Sequence, residues 1–150
     1  MGELGLNTLG TQVRATLLEG HPDWADYVVE LGDGDLELAV PAPPGSRAGH
    51  LVVFTNEGKD IWIRYAHPHM CYAVDSLEEM DAVIAALLAD DAFFVVVTRG
   101  DEWIETTLLR PGEEPALVEG QVANIVSWYG QHDKIVTHLE GRPSKGERGA

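Results

Sequence analysis

The chain has 150 residues, 45% of them hydrophobic and 23% charged, and its 25 acidic against ten basic residues leave a formal net charge of −15. This length and balance suit one globular domain and exclude disorder as the default, while the charge repels nucleic acid phosphates and anionic lipid and steers a cationic partner inward. No apolar run approaches the roughly 20 residues of a membrane helix, the start has no basic-then-apolar signal and no myristoylation pattern after Gly2, and Cys71, the one cysteine, permits no intramolecular disulfide, so a cytoplasmic protein is expected.

In chain order, Leu6, Leu9, Val13 and Leu17 recur at helical spacing, and Gly20 and Pro22 close that helix. Tyr27, Val29 and Leu31 alternate as in a strand. Gly32-Asp33-Gly34 supplies turn residues, and Leu36, Leu38 and Val40 continue a hairpin with one wet face. The proline-rich stretch from Pro41 to Ser46 reads as a loop. Leu51 to Phe54 is a continuous apolar strand, Asn56 to Lys59 a turn, and Ile61, Ile63 and Tyr65 mark the next strand. Beyond Pro68, Tyr72 and Val74 predict a short one.

Ser76-Leu77-Glu78-Glu79 is a capping box opening a helix to about Asp90, with Leu77, Met80, Val83, Ile84, Leu87 and Leu88 on one stripe. Phe93 to Val97 predicts a central strand covered on both faces, and Arg99-Gly100-Asp101 turns it into Trp103 to Leu109. Pro111 to Pro115 is a loop. From Gln121 to Leu139 a hairpin turning at Tyr129 to Asp133 competes with a helix through Val122, Ile125 and Val126; the β-branched and aromatic content favours the hairpin. Residues 140–150 read as a frayed tail. The expectation is a single α+β domain over 1–150, a mostly antiparallel sheet of about seven to nine strands with two helices packed on one face.

Chemistry-bearing patterns are sparse. His67, His69 and Cys71 would share one side of an extended chain, a ligand set suited to zinc or copper, with His50 a further donor nearby. Against a metal centre, Pro68 argues for a turn and the set lacks paired knuckles. Cys71 with His67 or His69 could form a nucleophile and base, but nothing marks an oxyanion site, and Ser127 lacks the glycines of a nucleophile elbow. The carboxylate pairs Asp90-Asp91, Asp101-Glu102 and Glu113-Glu114 lie at element ends, where solvation is expected, and Glu105 on a wet strand face. Neither a phosphate cradle nor a calcium loop occurs. No catalytic residue and no cofactor are therefore expected, and an enzyme is the less favoured reading.

Twelve carboxylates lie between Asp75 and Glu119 against Arg99 and Arg110 alone. The short helix before a hairpin, the run Ile61-Trp62-Ile63-Arg64-Tyr65, the closing Ile125-Val126-Ser127-Trp128 and the acidity together resemble the small immunity proteins of bacterial polymorphic and contact-dependent toxin systems. The likeness covers most of residues 6 to 136 as architecture and hydrophobic rhythm; no signature motif matches, so no binding residue carries over. It implies a non-enzymatic inhibitor that docks on a basic protein partner, a toxin domain. In such an interface Glu78, Asp81, Asp101, Glu102 and Glu105 would be rim charges and Trp103 the aromatic anchor. The alternatives are a metal-binding domain or enzyme at His67, His69 and Cys71, and a small-molecule-binding domain.

Overall fold

The computed structural model describes residues 5–66 and 69–138; the tail expected at 140–150 and the His67-Pro68 pair lie outside them. The elements are α1 (Thr8–Gly20), a 3₁₀ helix (Pro22–Tyr27), β1 (Val28–Glu30), β2 (Leu36–Pro41), β3 (His50–Asn56), β4 (Asp60–Arg64) and β5 (Cys71–Val74). There follow α2 (Leu77–Leu88), β6 (Phe93–Arg99), β7 (Glu102–Leu109), β8 (Gln121–Val126) and β9 (Lys134–Thr137). The protein is thus α+β and its strands are antiparallel throughout the described residues. Tyr27, expected on the first strand, instead ends the 3₁₀ helix, which Pro22 opens at its first position, a place where a missing N–H costs nothing.

The strands form two sheets rather than the one expected: a five-stranded sheet in the order β1-β2-β3-β4-β5 and a four-stranded sheet in the order β7-β6-β8-β9. The chain leaves β5 through α2 and starts afresh at β6. Both edges of β6 are then taken by β7 and β8, so no ladder joins it to β5. Over residues 121–137 the chain forms the hairpin β8-β9 and not the alternative helix through Val122, Ile125 and Val126.

One main cluster fills the interior. Leu36, Leu38, Leu51, Val53, Ile61 and Ile63 come from alternate positions of β2, β3 and β4, and Phe94, Val96 and Val126 from the second sheet. Val13 and Leu17 of α1, and Met80, Ile84 and Leu87 of α2, belong to the same cluster. The opposite face of β6 forms a second cluster, Phe93, Val95 and Val97 with Ala123 and Ile125, onto which Leu117 and Val136 pack. That explains why Phe93 to Val97 is apolar without a break: both faces are covered.

Polar pins hold the sheets together. The buried Tyr65 hydroxyl donates to the Val126 carbonyl and accepts from the Phe94 amide at 3.2 Å, with its ring edge-on to Phe94 at 4.9 Å. Burial pushes the phenol pKa far above its usual value, helped by Asp90 and Asp133 against the Phe94 amide. Ser46 Oγ donates to the Trp128 carbonyl at 2.7 Å, pinning the β2–β3 loop to the β8–β9 connection.

Asp35 ties down the other end. It is only 3% exposed and accepts from Asn7 Nδ2 (3.0 Å), Thr55 Oγ1 (3.0 Å), the Glu57 amide (2.7 Å) and the Gly58 amide (2.9 Å). Asn7 in turn caps α1, its Oδ1 accepting from the Gly10 amide at 2.8 Å. One carboxylate therefore joins the helix cap, β2 and the β3–β4 turn. Burial pushes its pKa up, but the bonds from Asn7, Gly58, Glu57 and Thr55 outweigh this and hold it below the ordinary value.

Candidate functional site

The β6–β7 hairpin turns at Gly100, whose φ of 58° is a conformation glycine adopts without strain. Asp101, Glu102 and Trp103 follow immediately, all exposed. The register of the pair shifts between Val97 and Thr98, so that Thr98 opposes Trp103 and Val97 opposes Glu105, with Ile104 as the extra residue of a bulge. The bulge sets Trp103 on the same face as Thr106, and turns Ile104 and Glu105 toward the side of the second cluster.

Trp103 is 47% exposed yet held on two sides. Its indole Nε1 donates to Thr106 Oγ1 at 3.0 Å, and the Thr106 hydroxyl donates to the His69 carbonyl. The His69 ring stacks on the indole with centroids 5.5 Å apart and planes 18° from parallel. A large aromatic surface is thus presented to solvent with its N–H satisfied and its orientation set, which lowers the entropy cost of using it as an anchor.

Around it Asp101 and Glu102 form no close ion pair among the described residues, although Arg99 opposes Glu102 across the hairpin. Among the described residues the ion pairs are Arg47–Asp133 at 3.8 Å and Lys134–Glu114 at 3.9 Å. None of Glu78, Asp81, Asp101, Glu102 or Glu105 joins one. Asp101 and Glu102 flank Trp103 in sequence at the hairpin tip. Glu105 lies on the other face of β7, and Glu78 and Asp81 on the exposed side of α2, an element joined to β7 through β5, which contacts both.

Of the residues read as metal ligands, His69 and Cys71 lie among the described ones. Tyr65 donates its amide to the Met70 carbonyl, Met70 is buried in the main cluster, and β5 begins only at Cys71, so 69–71 do not form one extended strand. His69 engages Trp103, whereas Cys71 opposes Arg64 on the face of β5 shared with Ala73. His67 lies outside the described residues. Among those described, no three or more His, Cys, Asp or Glu side chains are grouped to hold a metal ion. Burial raises the Cys71 thiol pKa, and the Arg64 guanidinium offsets only part of that rise.

Ser127 is fully buried, its Oγ donating to Asp133 Oδ1 at 3.2 Å and accepting from the His132 amide at 3.0 Å, so this hydroxyl shapes a turn. Asp90, expected to be solvated, is buried and accepts the Tyr129 amide through both oxygens at 3.1 and 3.2 Å. A helix-end carboxylate is solvated only when no later segment covers it, and here the loop after β8 does. Sequence reasoning also missed the partnership of His69 with Trp103, whose only trace was an aromatic ring on each of two distant segments.

Comparison with protein-family models, with curated proteins and with solved structures gives no match. Among the described residues no helix is long and apolar enough to cross a membrane.

Proposed function

We propose that this chain is a non-enzymatic, acidic protein-binding module that docks on a basic protein partner, in the manner of a bacterial immunity protein neutralising its cognate toxin domain. The reading is carried by one observation. Trp103 stands exposed, oriented by Thr106 and His69, beside the unpaired carboxylates Asp101 and Glu102. A rigid aromatic anchor with a charged rim is the usual anatomy of an interface hot spot. Excess negative charge would occupy a groove that otherwise binds phosphate, accelerate encounter and make it salt-sensitive. In this reading Glu78 and Asp81 on α2 are further rim charges, whereas Glu105, on the opposite face of β7 from Trp103, falls outside the rim.

The test is calorimetric titration of the chain, of the Trp103→Ala variant and of the Asp101→Lys/Glu102→Lys double variant into the basic toxin domain that this reading expects to be encoded next to it; a gene neighbourhood without such a domain would count against the reading. Loss of Trp103 is expected to weaken binding by about 30-fold, the scale of a hot-spot residue. The double variant, followed by stopped-flow tryptophan fluorescence on the same pair, is expected to associate more slowly and with a shallower salt dependence. Unchanged affinity and salt response in both variants would refute the assignment.

A further inference from the structure

The five-stranded sheet has a second face that belongs to neither buried cluster. Its register places Val29, Glu37, Phe54, Trp62 and Ala73 in one row across β1 to β5. The next row is Ala39, Val52, Arg64 and Cys71. These are the positions between the core-facing residues of β2, β3 and β4, and none of them appears in the interior clusters. Val29 at the edge is 50% exposed, and Phe54 and Trp62 are partly exposed.

The middle of this face is aromatic and ordered. Phe54 and Trp62 stack with centroids 6.4 Å apart and planes 11° from parallel, and the Arg64 guanidinium carbon lies 5.3 Å from the Phe54 centroid. The face therefore already holds one guanidinium on an aromatic ring. No cation lies over Trp62 among the described residues. Glu37, directly beside Phe54 in the row, and Asp60, on the same side of β4, form no ion pair with a described residue. At one end a recess of about 290 Å³ opens between His50, Val52, Arg64 and Ala66, sized for one side chain. Aromatic faces attract cations, and nearby carboxylates reinforce that attraction.

We propose that this outward sheet face is a second docking surface, receiving arginine side chains of a basic protein partner on Trp62 with Glu37 and Asp60 as counter-charges. It rests on the reading of the chain as a module for a basic partner, and it is independent of the Trp103 hairpin. Arg64 lies over Phe54, so Trp62 is the partly exposed ring of this pair that no described cation covers.

The experiment is a nitrogen–proton NMR titration of the full chain with hexa-arginine peptide at about 150 mM salt, where long-range attraction is screened. Hexa-citrulline, of similar shape but neutral, serves as control. The expected result is saturable movement of the Trp62 indole signal and the β3 and β4 amides with the arginine peptide alone. The Trp62→Thr variant, which keeps strand propensity, is expected to bind about fivefold more weakly, the scale of an exposed cation–π contact. The wild-type spectra decide the question even where that variant fails to fold. Movement confined to the Trp103 indole and the β6–β7 hairpin overturns this inference and leaves the proposed function standing. Absence of saturable movement at both places likewise overturns this inference, the proposed function being decided by its own titration, and equal response to hexa-citrulline overturns the cationic assignment.

Discussion

Replacing Asp35 with alanine removes the acceptor of four hydrogen bonds, from Asn7, Thr55, Glu57 and Gly58, at a site 3% exposed. A hydrogen bond to a charged group contributes roughly 1.5–3 kcal/mol net, and an abandoned buried donor costs about 1–3 kcal/mol. The Glu57 and Gly58 amides lie in a turn that water can reach, so the full cost falls mainly on Thr55 and Asn7. The expected loss is about 4 kcal/mol, the range for breaking a buried network, or on the order of 10 °C in Tm for a chain of this size. Asp35→Asn keeps the volume but sets an NH₂ group against a donor, for a loss of about 2 kcal/mol. The pH dependence follows from the lowered carboxyl pKa. A carboxylate whose folded pKa is depressed stabilises the fold above its unfolded pKa of about 3.9 and loses that contribution as pH falls through the folded value. Urea unfolding followed by tryptophan fluorescence should therefore show the gap between wild type and Asp35→Asn at full size at pH 7 and shrinking below about pH 4. Equal midpoints at pH 7, or a gap that is unchanged in acid, would refute the role assigned to this carboxylate.

Tyr65→Phe should cost about 1–3 kcal/mol, because the Val126 carbonyl and the Phe94 amide both lose a buried partner; faster hydrogen exchange at Phe94 is the specific readout. Cys71 should alkylate with iodoacetamide more slowly at neutral pH than a free thiol, with its rate profile displaced to higher pH, because burial raises its pKa. Arg64→Gln removes the charge that partly offsets this rise and should displace the profile further. Trp103→Ala should leave the melting temperature within a degree or two, since the side chain lies at the surface; a large drop would mean that Trp103 belongs to the core.

Local patterns carried much of the architecture. Alternation, the turn Gly32-Asp33-Gly34 and the Ser76 cap act over a few residues, and among the described residues the order of two α-helices and nine strands follows from them, though not the 3₁₀ helix. Ser76 Oγ accepts from the Glu79 amide at 3.0 Å as the motif requires, although the Glu79 carboxylate reaches back to the Asp75 amide. Trp103, Asp101 and Glu102 could be singled out because hairpin-tip residues are exposed wherever the hairpin packs. The outward aromatic face was hidden because Leu51 to Phe54 reads as uniformly apolar, and only pairing shows that Val52 and Phe54 point away from Leu51 and Val53.

What the chain's composition and periodicity determined by themselves is the α+β class, the order of α-helices and strands and the net negative charge, since each depends on neighbours in sequence or on a sum over all residues. Tertiary structure alone decided the division into two sheets, the burial of Asp35 and Asp90, the Tyr65 pin and the turning of His69 onto Trp103. Each of these joins segments distant in the chain, and such a contact forms only when packing has already paired their strands and covered their side chains.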